Sequence, residues 1–111
     1  MLRVALTSTF AALADPTRLA IVTRLSRGEA TVGQLAEPHD ISLPGITKHL
    51  RVLGDAGLVS RRKVGRTVVC TLHGDALAEA QAWIADLTSF WNASLDRLDQ
   101  PAGTARTRRS T

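Results

Sequence analysis

The residues of this chain best suited to recognition chemistry are hydrogen-bond donors, and their densest group lies between positions 41 and 58 (ISLPGITKHLRVLGDAGL). The group consists of Thr47, Lys48, His49 and Arg51, with no acidic side chain among them. Such side chains donate hydrogen bonds to acceptor-rich, negatively charged partners. No serine or cysteine with an obvious base accompanies them, so the chemistry indicated is binding rather than catalysis.

A second group of cations follows in the segment between Leu58 and Gly74, which contains no acidic residue. Its members are Arg61, Arg62, Lys63 and Arg66. Like charges this close repel one another, so the arrangement is unfavourable unless a polyanion lies nearby. A solvated ribbon without a partner is the alternative, and the donor-rich stretch beside it favours the polyanion.

The other reactive side chains are scattered along the chain. His39, His49 and His73 fall in three different predicted elements, and no Cys-x-Cys, Cys-x-x-Cys or His-x-x-His spacing occurs. A glycine-rich phosphate loop is also missing. We therefore expect no cofactor, no metal site and no enzyme activity. Cys70 is the single cysteine, so we expect no disulfide framework within the chain and a cytoplasmic location. On a strand of alternating pattern, Cys70 is expected to be a small core residue rather than a sensor.

A helix is predicted to position the first donor group. Ser42 is a suitable N-cap, and Ile46, Leu50 and Leu53 recur at i, i+4 and i+7, which gives one narrow apolar stripe. Just upstream, the sequence TVGQLAE at 31–37 predicts a shorter helix capped by its threonine. A short capped helix, a tight connection and a second helix with a cationic outer face make a helix-turn-helix.

A β-hairpin is predicted to carry the second group. Val59–Val64 and Thr67–Leu72 are β-branched segments separated by Gly65-Arg66, a two-residue turn. Because alternate residues of a strand point to opposite faces, we expect Arg61 and Lys63 on one face and Arg62 on the other. A two-stranded ribbon directly after a recognition helix is typical of a wing.

Three further helices are predicted at the two ends of the chain. Leu2–Leu13 forms the first, and Asp15-Pro16 begins the second with an acidic N-cap and a proline at the first helical position. The second helix ends at Gly28, and a periodic segment at 74–98 forms the last. The second helix is expected to point inward with Leu19, Val22 and Leu25 at three-residue spacing, flanked by Ile21.

A helix with a donor-rich outer face fits the major groove of B-DNA, whose base edges offer distinguishable donor and acceptor patterns. We therefore expect double-stranded DNA as the partner, with the hairpin cations on the backbone and Arg66 nearest the minor groove. An amphipathic helix with an ordinary solvated face is the alternative. The predicted DNA-binding residues are Ser42, Leu43, Pro44, Gly45, Thr47, Lys48, His49, Arg51, Arg61, Arg62, Lys63 and Arg66.

Aromatic residues concentrate in the last predicted helix. With their aliphatic neighbours they make more apolar surface than one edge of a small domain can cover, and large exposed patches mark association. We expect a homodimer formed with the first helix, which would place two recognition helices about one DNA turn apart on an inverted repeat. Packing within one chain is the alternative. The predicted dimer-interface residues are Val4, Leu6, Phe10, Trp83, Ile84, Leu87, Phe90, Trp91 and Leu95.

The elements together predict a mainly α (α+β) fold. It is a winged helix-turn-helix with a two-stranded β-hairpin wing and additional N- and C-terminal dimerisation helices. We expect one DNA-binding and dimerisation domain over 1–100 and a disordered basic tail over 101–111. Three of the positive charges lie in that tail, so the net charge of +4 says less than the placement of the other cations. No apolar run approaches the length of a membrane span.

The chain resembles the arsenic-repressor (ArsR/SmtB) family of bacterial transcription regulators in four stretches. These are ALADPTRLAIVTRL, LAEPHDISLPGITKHLRVLGDAGLV, RRKVGRTVVCTL and WIADLTSFWNASLDRLDQ, which together extend over 11–100. The resemblance implies a homodimeric winged helix-turn-helix repressor. It also implies dimerisation through the first and last helices, and release of DNA when an inducer binds.

Departures from the metal-sensing members of that family indicate a non-metal branch. Metal-sensing members carry a Cys-x-Cys motif where this chain has Thr31-Val32-Gly33, and others carry Asp/His and His/Glu pairs where the last helix here has aromatics and alanines. Thiol-switch members need two cysteines, and this chain has only Cys70. Two alternatives stay open: a metal- or thiol-responsive repressor of the same family, and a winged-helix module that binds another protein without touching DNA.

Overall fold

The computed structural model describes the backbone of residues 2–99 and the side chains of residues 5–98. The predicted tail at 101–111 lies outside the described residues. Five helices, one 3₁₀ turn and three strands follow one another: α1 (Leu2–Leu13), α2 (Pro16–Leu25), β1 (Ala30–Thr31), α3 (Val32–Ala36), the 3₁₀ turn (Glu37–His39), α4 (Leu43–Asp55), β2 (Val59–Val64), β3 (Thr67–Leu72) and α5 (Asp75–Asp99). This order confirms the predicted mainly α winged helix-turn-helix.

Helix α2 begins where the sequence predicts. The Asp15 side chain accepts a hydrogen bond from the backbone N–H of Arg18 at 3.0 Å, and Pro16 occupies the first helical position. The predicted inward stripe is wrong at Leu19, which is 50% exposed, whereas Ile21 is fully buried. Steps of three residues drift around a helix with 3.6 residues per turn, so Leu19 leaves the face that the step of four from Ile21 to Leu25 maintains.

Helix α3 is short and depends on its cap. The Thr31 side chain accepts from the backbone N–H of Gln34 at 3.1 Å, and the Gln34 side chain accepts from the backbone N–H of Thr31 at 2.9 Å. This reciprocal capping box satisfies two amides that have no partner inside the helix. The 3₁₀ turn follows and ends at Asp40, whose φ of 52° is left-handed. Aspartate tolerates this conformation better than most residues, and the chain then turns into α4.

Helix α4 has the predicted cap and apolar stripe but ends earlier than the sequence stretch suggests. Gly57 takes a φ of 78°, and its backbone N–H donates to the carbonyl of Gly54 at 2.9 Å. The N–H of Leu58 donates to the carbonyl of Leu53, also at 2.9 Å. These two bonds form a Schellman motif, which terminates the helix at Asp55.

The wing is part of a larger sheet than predicted. Strands β2 and β3 pair antiparallel from Val59↔Leu72 to Val64↔Thr67, and Gly65 takes the positive φ of 63° that the two-residue turn requires. Strand β1 adds to the other edge of β3, so three strands lie in the order β1-β3-β2. The sequence predicts only the two strands of the hairpin, because a two-residue strand has no periodicity to detect.

The core lies where α2, α3 and α4 meet the sheet. Cys70, on β3, is completely buried, which confirms the prediction of a small core residue, and burial raises the pKa of its thiol. The members of the core cluster with less than 2% exposure are Ile21, Leu35, Ile46, Leu50, Leu53, Leu58 and Cys70. Because three of these project from α4, the orientation of that helix is fixed by the core.

The chain divides into two compact units, Met1–Ala80 and Gln81–Thr111. The first contains the helix-turn-helix, the sheet and the start of α5. In the second, the described residues continue α5 to Asp99. Within residues 2–99 there is no helix with both the length and the apolar character needed to cross a membrane. The single domain over 1–100 stays a prediction.

Candidate nucleic-acid interface

The outer face of α4 presents two free cations. Lys48 and Arg51 are exposed, whereas Ile46 and Leu50, on the opposite side of the same helix, are fully buried. Neither cation forms an ion pair with any residue in the described part of the chain. The buried stripe therefore holds the helix by one side and leaves two positive side chains directed away from the core.

The first turn of α4 is slim and capped. The Ser42 hydroxyl accepts from the backbone N–H of Gly45 at 3.2 Å, and a Cβ added at Gly45 would lie 3.3 Å from that hydroxyl oxygen. Pro44 sits within the first turn, where a missing N–H removes no helical bond. Leu43 is more than half exposed, and Thr47 is partly exposed one turn later. The turn thus offers an apolar contact and a hydroxyl on a narrow helix end.

His49 is not a simple member of the exposed face. Its Nδ1 atom lies 3.2 Å from Nη1 of Arg18 and 3.9 Å from Oδ2 of Asp15, and its side chain is 26% exposed. Arg18 also donates from Nε to the carbonyl of Ala12 at 2.6 Å. The sequence reasoning missed this junction of α1, α2 and α4, because it assigned Asp15 only an N-cap role.

The pKa of the Asp15 carboxylate, which lies at this junction, is below its ordinary value. The hydrogen bond from the backbone N–H of Arg18 has the largest effect and lowers the pKa of Asp15. Desolvation raises this pKa by a smaller amount, and the nearby His49 and Arg18 side chains lower it further. Hydrogen bonds to a carboxylate favour its charged form. The cap of α2 therefore stays ionised and keeps the Arg18 backbone in place.

The wing cations are all exposed, but one of them is paired. Arg62 donates to Glu29 at 3.4 Å, across a separation of 33 positions in the chain. The hairpin segment itself contains no acid, and the partner of Arg62 comes from the segment before β1. In the described chain, Arg61, Lys63 and Arg66 have no ion pair.

The strand register agrees with the predicted alternation of the wing. Arg61 pairs with Cys70 and Lys63 with Val68, while Arg62 pairs with the intervening Val69. Alternate residues of a strand point to opposite faces, so Arg61 and Lys63 share a face. Because Glu29 meets Arg62 on the other face, Arg61 and Lys63 are left without an acidic partner among the described residues.

The predicted dimer surface is exposed on α5. Its five large apolar residues recur at i, i+1, i+4, i+7 and i+8, which places them on one face of the helix. Phe90 is the most exposed of them at 72%. Leu95 is partly buried. The five exposed residues are Trp83, Ile84, Leu87, Phe90 and Trp91.

The predicted interface residues of α1 whose side chains are described are less exposed than the five of α5. Leu6 is only 7% exposed, so little of its surface is left for a partner, and its place in the interface stays a prediction. Phe10 is partly buried. The side chain of Val4 lies outside the described residues. The sequence placed all three on one interface because helical periodicity marks apolar positions without telling which neighbour covers them.

The described residues contain no group of three or more histidine, cysteine or carboxylate side chains placed to hold a metal ion. At the position where metal-sensing relatives carry their paired cysteines, Thr31 instead caps α3. The hydroxyl of this threonine is already engaged by the backbone N–H of Gln34.

Comparison with known proteins decides the family. A family profile described as "Helix-turn-helix domain" matches residues 13–62. The HTH-type transcriptional regulator Rv2034 of Mycobacterium tuberculosis is 43% identical over 84 residues, which cover 76% of each chain. The crystal structure of an ArsR family transcriptional regulator is 42% identical with a TM-score of 0.74, over 79% of this chain and 91% of that one. This chain belongs to the ArsR/SmtB family.

Two more relatives support the assignment to the ArsR/SmtB family. An ArsR-like transcriptional regulator from Rhodococcus sp. RHA1 has a TM-score of 0.75 at 33% identity, over 93% of this chain and 97% of that one. The transcriptional repressor SdpR of Bacillus subtilis is 35% identical over 68% of this chain and 83% of its own. The protein is therefore a DNA-binding transcription regulator and not an enzyme. The reading as a winged-helix module that never touches DNA is set aside.

Proposed function

We propose that this ArsR-family protein is a homodimeric repressor that binds an inverted-repeat operator in double-stranded DNA. The observation that carries the proposal is the geometry of α4: Lys48 and Arg51 project from a capped helix whose opposite side is fully buried. Such a helix enters the major groove without disturbing the core behind it. The family assignment supports DNA as the partner.

The two cationic surfaces have different roles in this proposal. The first two turns of α4 contact base edges and nearby phosphates, with Lys48 and Arg51 as donors to guanine or phosphate and Leu43 against a thymine methyl group. The wing contacts the backbone, and Arg66, which follows the turn glycine, lies nearest the minor groove. The pairing of Arg62 with Glu29 lowers its share in that contact.

A two-fold axis relates the two copies in the proposed dimer. The apolar residues of α5 support it, because a face that carries two tryptophans and a phenylalanine in contact with water is unfavourable. A symmetric interface uses the same patch on both subunits. It would present two α4 helices to half-sites about one helical turn, roughly 34 Å, apart.

We further propose a cytoplasmic protein, associated with the nucleoid when bound to DNA, that belongs to a branch which does not sense metals. The lone buried Cys70 suits a reducing compartment, and the capping role of Thr31 replaces the paired cysteines of metal-sensing members. An inducer other than a metal ion would then release the operator. We place the operator in the promoter region of the protein's own gene.

Footprinting of that promoter region, at low and at raised salt, tests the operator. We expect protection of two half-sites related by an inverted repeat, with protection lost as salt rises because phosphate contacts release counterions. A duplex with both half-sites scrambled is the control. Equal protection of the scrambled duplex would contradict a sequence-specific repressor.

Sedimentation analysis tests the dimer. Replacing Phe90 with Asp puts a charge on the most exposed of the predicted interface residues of α5, and we expect this variant to be monomeric and to lose the two-site footprint. Asn92→Asp adds the same charge to the same helix at a polar, exposed position and serves as the matched control. A monomeric wild type, or dissociation in both variants alike, would contradict the proposed interface.

A metal-responsive repressor is the second candidate function, and one relative favours it. The protein named "Probable mercury resistance operon repressor" from Streptomyces lividans is 46% identical over 78% of this chain and 70% of its own. Titration with zinc, copper, arsenite and mercury(II), read out as operator affinity, separates the candidates. We expect no change with the first three. A mercury effect that disappears in Cys70→Ala would support the second candidate instead.

A further inference from the structure

The junction of α1, α2 and α4 is built around the side chain of Arg18. Arg18 lies in α2, and its guanidinium bridges two other helices: Nε donates to the carbonyl of Ala12 in α1, and Nη1 lies 3.2 Å from Nδ1 of His49 in α4. The first of these bonds, at 2.6 Å, links the guanidinium to the end of α1. The second then presents a donor to one nitrogen of the His49 ring.

This contact determines which ring nitrogen carries the proton. A guanidinium has only donors and stays protonated in proteins, so a hydrogen bond between Arg18 and His49 requires Nδ1 to accept. A neutral imidazole whose Nδ1 accepts carries its single proton on Nε2. Asp15 does not accept a hydrogen bond from Nδ1, since its Oδ2 atom lies 3.9 Å away, beyond hydrogen-bond distance.

The protonated nitrogen has no acceptor within the described chain. No hydrogen bond from Nε2 of His49 reaches a described residue, and the ring is partly exposed. His49 follows Lys48 directly and precedes Arg51 on the same helix. An N–H directed outward from this part of α4 can meet a phosphate oxygen or a guanine acceptor.

We propose that Arg18 is a positioning residue for DNA recognition, which fixes His49 as an Nε2–H donor toward the operator. The proposal rests on the function proposed above. Arg18 acts on DNA recognition through His49 in this account, since Nε and Nη1 of its guanidinium contact Ala12 and His49. One arginine thereby ties the α1–α2 corner to a hydrogen bond made by the recognition helix.

Nitrogen-15 NMR of the imidazole in the full-length protein tests the tautomer without DNA. In the neutral form of His49, we expect the proton on Nε2 in the wild type and a mixture of both tautomers in Arg18→Gln. The mixture is a signature that a merely structural role of Arg18 would not produce. A proton on Nδ1 in the wild type would overturn the proposal.

Two isosteric substitutions at His49 test the outward donor. The amide oxygen of His49→Asn takes the place of Nδ1, so that variant keeps an acceptor for Arg18 but loses the outward N–H. The amide nitrogen of His49→Gln takes the place of Nε2 and keeps the N–H. We expect both to weaken operator binding, His49→Asn by about three- to tenfold more than His49→Gln, the range for one hydrogen bond.

Arg18→Gln should weaken operator binding by a similar factor, and by nothing further in a protein that already carries His49→Asn. Arg27→Gln removes an equal charge from an exposed site just past α2 and controls for charge. The variants His49→Asn and His49→Gln both keep Arg18, so they test the proposal even if Arg18→Gln is unstable. If the wild type binds the operator and both histidine variants lose the same amount of affinity, this inference alone is refuted. A wild type that does not bind the operator would refute the proposed function as well.

Discussion

The outer face of α4 and the wing carry similar charge on very different supports. Three residues of α4 are completely buried, so the backbone beneath Lys48 and Arg51 is held by the core. In β2 only Val59, at the start of the strand, is buried, and the five residues that follow are exposed. A fixed support suits contacts to base edges, which require defined positions, whereas backbone contacts tolerate adjustment. The difference in support therefore predicts a difference in role.

The largest difference should appear in stability. Leu50→Ala removes a fully buried side chain under α4, and we expect the free energy of unfolding to fall by about 2–5 kcal/mol. Val64→Ala, at a half-exposed position near the tip of the wing, should change it by less than about 0.5 kcal/mol. Urea denaturation measures both. Equal losses would mean that the wing is as firmly supported as α4.

Specific DNA binding should depend most on α4. We expect Lys48→Ala and Arg51→Ala each to weaken operator binding by about 1–3 kcal/mol per half-site contact, because a donor to a base edge is lost. Fluorescence anisotropy with the operator and with unrelated duplex measures the two affinities. Arg27→Ala, which removes an exposed cation outside α4, is the control. A loss of the same size on both duplexes would assign these residues to the backbone.

The wing should contribute affinity without sequence preference. We expect Arg66→Ala to weaken operator and unrelated duplex alike and to lower the salt dependence by about one unit per lost phosphate contact. Arg66→Lys keeps the charge and is the matched control. If Arg66→Ala lowers operator affinity alone, the wing reads sequence and the contrast with α4 fails.

The smallest effect is expected at the paired cation of the wing. Glu29→Gln removes the partner of Arg62, but both side chains are more than half exposed, so we expect stability to change by less than about 1 kcal/mol. Affinity for all duplexes should rise slightly, because the negative charge that offsets Arg62 is removed. Glu37→Gln, an exposed acid elsewhere, controls for the change in net charge. Weaker DNA binding by Glu29→Gln would show that the ion pair orders the wing for contact.

Much of the fold could be predicted because its signals are local. The caps at Asp15, Thr31 and Ser42 are each formed with a backbone amide three residues ahead, so side-chain type and spacing suffice to locate them. Strand β1 could not be found, since its pairing with β3 joins Ala30 to Cys70 across a long stretch of chain. A pairing of that kind depends on the assembled sheet and leaves no pattern in two residues.

The candidate site shows the same division. The exposure of Lys48 and Arg51 follows from their position opposite the apolar stripe of α4. The burial of Leu6 and the exposure of Leu19 do not follow from the sequence. Periodicity tells which positions share a face, but the neighbouring element decides which face is covered.

The sequence by itself determined the helices, their caps, the hairpin turn and the placement of cations on α4 and β2. Each of these depends on contacts within a few residues, or on a periodicity that hydrophobic burial imposes on one element. Only the tertiary structure brought Arg18 to His49 and Glu29 to Arg62, pairs that lie 31 and 33 positions apart. Such pairs form because packing of the core brings distant segments together, and the free energy of that packing is shared by the whole domain.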